Sequence, residues 1–153
     1  MKKIILAVMM LIGTSTAFAG DSEPLKAILK AQNYAEAANL VQSTLDQLAG
    51  NEEKAKAYNR LYELAMKKVN YEEGIQLENE TQKQMGKEGN KPVDEKGLYA
   101  AVGAAFNSGV EAIKYDNMPN QKGKVKPKYA ALVESVYKLR NDLINGGVYY
   151  QGK

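Results

Sequence analysis

Apolar residues recur at helical spacing along most of this chain. Between Ala57 and Ile75 the pattern is sharpest: Tyr58, Leu61, Tyr62, Ala65 and Val69 form one narrow stripe, while Lys56, Arg60, Glu63 and Lys67 cluster on the opposite side. The stripe breaks at Asn70, and Tyr71, Gly74 and Ile75 open another. The pattern predicts two helices, about 52–68 and 71–85. Joined by so short a turn, they would lie antiparallel with their stripes together.

The flanking segments read the same way. Asp21-Ser22-Glu23-Pro24 offers an N-cap and an early proline, the usual entry to a helix, and Leu25, Ile28 and Leu29 supply its apolar face as far as Gln32-Asn33. Tyr34 opens a second helix with Ala37, Ala38, Val41, Leu45 and Leu48 in register, closed by Gly50-Asn51. After 71–85, where Glu78 and Gln82 interrupt the stripe, comes a polar loop over 86–92. Asp94 then caps a fifth helix, about 95–115, carrying Leu98, Tyr99, Val102, Phe106, Val110 and Ile113 among many alanines. Gly103 and Gly109 inside it each cost ~1 kcal/mol against alanine, which predicts close approach of a neighbouring helix at both. A long loop over 116–127 leads to a sixth helix with Tyr129, Leu132, Val133, Val136, Leu139 and Leu143 in register. Local signals allow that helix to stop at Asn145-Gly146-Gly147 or to run through Tyr149-Tyr150.

The first twenty residues are of another kind. Lys2 and Lys3, an apolar run from Ile4 to Ile12, and Ala17-Phe18-Ala19 have the basic, apolar and small-residue order of a secretory signal, with cleavage expected between Ala19 and Gly20. The apolar run is far short of the ~20 residues a bilayer demands. The domains expected are therefore a signal peptide over 1–19 and a helical domain over 20–153, exported to the periplasm of a Gram-negative bacterium or secreted. The formal charge of +3 includes Lys2 and Lys3, so the processed chain is nearly neutral, which argues against nucleic acid or an anionic membrane as partner. With no Cys there are no disulfides, and stability must come from apolar packing.

Spacings across the helices repeat. Large–small–aromatic or apolar anchors occur as Tyr58, Tyr62, Ala65, as Tyr99, Gly103, Phe106, and as Leu143, Gly147, Tyr150. Tyr71 with Gly74 follows the first set, and Tyr34 with Ala37 matches that pair upstream. These residues resemble the tetratricopeptide repeat over nearly the whole processed chain, though the anchors recur at wider steps than that family's usual spacing and the repeats are degenerate. The resemblance implies an all-α fold of stacked antiparallel helix pairs, a short right-handed solenoid. The paired helix due after Leu143 would begin beyond Lys153. Either the last repeat is a lone capping helix or, as the apolar end at Val148, Tyr149 and Tyr150 favours, this is the front part of a longer protein whose further repeats pack on it.

Reactive chemistry is scarce. Without His or Cys, the common zinc, copper and thiolate sites and nucleophile–base pairs cannot be built. Glu72 and Glu73 point to different sides of a helix, which makes them a poor acid–base pair; they read as a negative first turn. Lysines at 122, 124, 126 and 128 read as a solvated loop, and most tyrosines fall on packing stripes, with Tyr115, Tyr149 and Tyr150 the exceptions. No enzyme, cofactor or metal is expected. The expected function is a protein- or peptide-binding scaffold, the alternative a structural N-terminal module without binding activity of its own. The resemblance places the binding surface on the first helix of each pair: Lys56, Asn59, Glu63 and Lys67 on one, Asn107 and Ser108 on the other.

Overall fold

The computed structural model describes residues 20–152. Residues 1–19, where the signal peptide and its cleavage at Ala19 were expected, and the side chains of Tyr149 and Tyr150 lie outside the described residues. The described chain is all-helical: α1 (Glu23–Lys30), α2 (Tyr34–Thr44) ending in a 3-10 turn (Leu45–Gln47), α3 (Gly50–Gln84), α4 (Glu95–Asp116) and α5 (Ala130–Gln151). Three entries are capped by side chains. Ser22 Oγ accepts from the N–H of Leu25, Asn33 from that of Glu36 and Asp94 from that of Gly97.

The main departure from expectation is α3. The expected helices 52–68 and 71–85 are one rod of 35 residues, about 52 Å long, with no turn at Asn70. Asparagine inside a helix costs under ~1 kcal/mol, and no proline stands nearby to break the ladder. Packing on both sides of the position outweighs that cost. Val69 is wholly buried against Leu98 and Val102, and Glu72 is buried with its own partners. Tyr71 therefore points outward, 66% exposed, and a Cβ on Gly74 would meet nothing within 4 Å. Neither packs a repeat.

The antiparallel pair is instead α3 with α4. Val69 meets Leu98 and Val102, Ala65 meets Ala105, and Tyr58 and Tyr62 lie near Ala112, so the two helices run in opposite senses. α5 packs chiefly on α4, antiparallel to it, and so runs in the same sense as α3, which its side chains also reach: Val136 lies near Gly109 and Tyr62, Leu139 shares a cluster with Ala65 and Ala105, and Leu143 shares one with Val69 and Val102. It continues through Gly146-Gly147 to Gln151. α1 and α2 close over the first half of α3, burying Leu25, Ile28, Ala37, Val41, Ala57, Leu61 and Leu64, with Tyr34 half-buried against them. Each large apolar side chain so buried contributes ~1.5–3 kcal/mol.

Two glycines let α5 come close to α4. A Cβ on Gly109 would lie 2.4 Å from Val136 Cγ2 and 3.3 Å from the Tyr62 ring; one on Gly146 would lie 3.1 Å from the Tyr99 ring. Gly109 was expected to serve this way. Gly103 and Gly147, also read as packing positions, have nothing within 4 Å of a Cβ.

The three buried acids share one task. Glu53 accepts the N–H of Ser22 (2.7 Å), its Oγ–H (2.6 Å) and the N–H of Ala49 (2.7 Å). Glu72 accepts the N–H of Asp94 (2.9 Å), and Asp116 those of Lys128 (2.8 Å) and Tyr129 (2.9 Å). Ser22, Asp94 and Tyr129 are the N-cap residues of α1, α4 and α5. Each carboxylate thus satisfies a backbone donor at a helix entry and fixes where that helix begins.

Candidate functional site

The first turn of α3 begins at Gly50, whose φ of 77° turns the chain out of the 3-10 segment into the helix. Glu53, one turn on, draws the start of α1 against this end. Between them and the loop before α5 lies a cleft of about 860 Å³. It is lined by Asp21, Glu23 and Lys26 at the start of α1, by Asp46 and Gln47 of the 3-10 turn, by Glu52 and Lys56 of α3, and by Lys128 and Tyr129 before α5.

The cleft is polar and carries both signs of charge. Lys56 Nζ donates to both oxygens of Asp21, at 2.9 and 2.7 Å. Lys26 donates to Glu23 at 2.6 Å and holds that carboxyl below its ordinary range, first by the hydrogen bond and then by charge. Lys128 stands 3.9 Å from Glu52. Burial, and then the charge of Asp116, push the Tyr129 hydroxyl above its ordinary pKa. Asn51 ties this end to the far loop by donating to the carbonyl of Pro119 at 2.8 Å.

Four of the six residues expected to bind a partner stand in one row on α3. Lys56 opens the row and also lines the cleft. Asn59 donates to Glu63 at 3.1 Å, Glu63 lies 3.6 Å from Arg60, and Lys67 is exposed. Arg60 is anchored by donating to the carbonyl of Ala31 at 2.9 Å, which ties the row to the end of α1. On α4 Asn107 is exposed, whereas Ser108 is buried at 4% exposure. Ser108 faces the interior because the buried line of α4 runs Val102, Ala105, Gly109 and Ala112, and position 108 falls beside it.

The cleft itself was not found from sequence. Its walls meet through Glu53, 31 residues from Ser22, a separation at which a single sequence gives no signal. Beyond it, Tyr115 stacks on Tyr58 with centroids 5.8 Å apart, beneath Lys54 and Lys114 at 5.5 and 5.3 Å. Glu73 faces α5, where burial first and Asp142 second raise its pKa, while Glu72 turns to Lys68 and Asp94. The two neighbouring acids therefore serve different environments.

Among the described residues, no group of three or more acids could hold a metal ion, and no helix is long and apolar enough to cross a membrane. No family model, curated protein or solved structure matches this chain.

Proposed function

We propose that the protein is a non-catalytic scaffold of the cell envelope that binds a protein or peptide segment along α3. The single observation that carries this reading is the continuity of the cleft with the row Lys56, Asn59, Glu63 and Lys67 through Lys56, which belongs to both. A surface of alternating charge, long and open, suits an extended polypeptide with its own backbone donors and acceptors. An apolar small molecule would require an enclosed apolar pocket instead. The basic, apolar and small-residue leader supports export of the chain. The tetratricopeptide resemblance enters this reading only through the antiparallel packing of α3 on α4 and of α4 on α5, which supports a short solenoid, and no longer through a turn at Asn70.

The test is charge reversal. Lys56→Glu combined with Lys67→Glu should abolish capture of a partner from periplasmic extract while leaving the helical circular dichroism unchanged. Undiminished capture by the double variant would overturn the assignment of this face.

A second reading, a structural module that packs on further helices, is favoured by the far half of α3. There Tyr71 and Leu77, and Met85 just past the helix end, are each more than 60% exposed. It expects residues 20–153 to capture nothing from extract.

A further inference from the structure

α5 has two apolar faces. Leu132, Val136, Leu139, Leu143 and Gly146 pack inward on α3 and α4. On the other side Val133, Tyr137, Ile144 and Val148 stand 51–68% exposed. The outer positions 133, 137, 140, 144, 147 and 151 alternate steps of four and three, the spacing of a two-helix seam. Arg140 on this seam has no hydrogen bond or ion pair among the described residues, and Gly147 is exposed with open space where a Cβ would be.

A contact inside the fold shows how its antiparallel helices mate: the ring of Tyr99 on α4 lies over Gly146 on α5, whereas Gly109 on α4 takes Val136 of α5 with only the edge of Tyr62 beside it. α5 repeats both halves of this arrangement on its outer seam, an exposed Tyr137 and an exposed Gly147. We propose that α5 pairs with α5 of a second copy, antiparallel about a two-fold axis, with each Tyr137 on Gly147 of the other copy. The same axis sets Arg140 against Ile144 and Val133 against Gln151, so one register satisfies the whole seam. The arginine stem can cover Ile144 while its guanidinium stays in water.

Other pairings are worse. A parallel pair would set Arg140 against Arg140 and Tyr137 against Tyr137. An antiparallel pair centred between Arg140 and Asn141 would press Tyr137 on Ile144, bulk against bulk. The interface continues the stack already made by α3, α4 and α5. A single helix seam lies at the small end of stable interfaces, for which ~800 Å² per partner is typical, so a dissociation constant on the order of 10 µM is expected.

Sedimentation equilibrium of the purified chain lacking residues 1–19 tests this. A reversible monomer–dimer equilibrium is expected, weakened at least about tenfold by Tyr137→Ala and by Gly147→Leu. Both positions face solvent in the monomer, so melting of the dilute protein should hold steady or, for Gly147→Leu, rise.

The chain has no cysteine, so introduced thiols report orientation. Tyr137→Cys with Gly147→Cys should cross-link into dimers under a mild oxidant. Tyr137→Cys alone should not, because the two copies of position 137 would be ~15 Å apart along the axis. A monomer at about 1 mM overturns the proposal. So does a dimer indifferent to both substitutions, which would point to another face. Cross-linking by Tyr137→Cys alone overturns the antiparallel arrangement. A helix of a different protein displacing the dimer only at concentrations far above the dimer constant supports the second copy as occupant, whereas stoichiometric displacement replaces it.

Discussion

The two halves of α3 are the same rod under different conditions. From Gly50 to Val69 it is covered by α1, α2, α4 and α5 and buries Ala55, Ala57, Leu61, Leu64, Ala65 and Val69. From Asn70 to Gln84 only Glu72 is buried, and Tyr71 and Leu77 stand in solvent. The near half is held by apolar packing, the far half by polar ties. Glu72 takes the N–H of Asp94, and Asn79 clasps Lys91 by donating to its carbonyl and accepting from its N–H, each at 2.8 Å. Gly89 permits that clasp, since a Cβ there would sit 2.0 Å from the carbonyl oxygen of Asn79. Helical continuity does not require an apolar stripe along the full length. Good helix formers and a few anchored backbone groups suffice once one end is packed.

Several substitutions sharpen this contrast. Leu61→Ala in the near half should cost about 2–5 kcal/mol in urea unfolding, the range for emptying a packed leucine site. Leu77→Ala in the far half belongs at the other extreme, within about 0.5 kcal/mol of the wild type. Equal losses at the two positions would erase the distinction.

The glycines of α4 divide the same way and fall between those limits. Gly109→Ala forces a Cβ onto Val136 and should destabilise by about 1–3 kcal/mol. Gly103→Ala meets no neighbour and should stabilise by up to about 1 kcal/mol through helix propensity. Thermal melts of the two variants in opposite directions are the expected result.

The polar tie at Glu72 makes the far half sensitive to acid. The Lys68 ammonium, and then the Asp94 N–H, hold the Glu72 carboxyl below its ordinary value of 4.5; Lys68, and then the Gly97 N–H, depress Asp94 likewise. A carboxylate depressed in the folded state contributes its stability above the unfolded pKa. That contribution is lost as pH falls through the folded value. Protection of the amides over 70–94, corrected for the intrinsic exchange rate, should therefore fall in the wild type as pH drops below the ordinary carboxyl value of 4.5. Glu72→Gln should already exchange quickly at neutral pH and change little on acidification. Glu73 runs the other way, since burial and Asp142 raise its pKa and its charged form opposes folding. Glu73→Gln should stabilise slightly at pH 7, by no more than about 0.5 kcal/mol, with the gain vanishing in acid.

Much of this was legible in the sequence. Ser22 with Pro24, Asn33 before Tyr34, and Asp94 are short-range signals, and the helices they introduce begin where those signals stand. Tyr34, Ala37, Tyr58, Tyr62, Ala65, Phe106 and Leu143 all reach apolar clusters, because helical periodicity carries that information locally. Asn70 misled because a polar residue followed by Tyr71 and Gly74 imitates a turn, and the packing that overrides it comes from Leu98 and Val102 on another helix. Ser108 misled for the converse reason, a polar side chain carried inward by the rotation of α4. Glu53, Glu72 and Asp116, which fix the helix entries, are ordinary acids in a helical pattern until their distant backbone partners are known.

The central claim is that α3 runs unbroken through Asn70, and a distance across it is the most direct test. Because the chain lacks cysteine, spin labels placed by Glu52→Cys and Lys83→Cys would report only that separation. Both positions are exposed and lie near opposite ends of α3. Pulsed electron resonance should give about 46 Å, the rise of a continuous helix between those positions. A distance of about 10–15 Å, that of two antiparallel packed helices, would contradict the unbroken rod and restore the turn at Asn70.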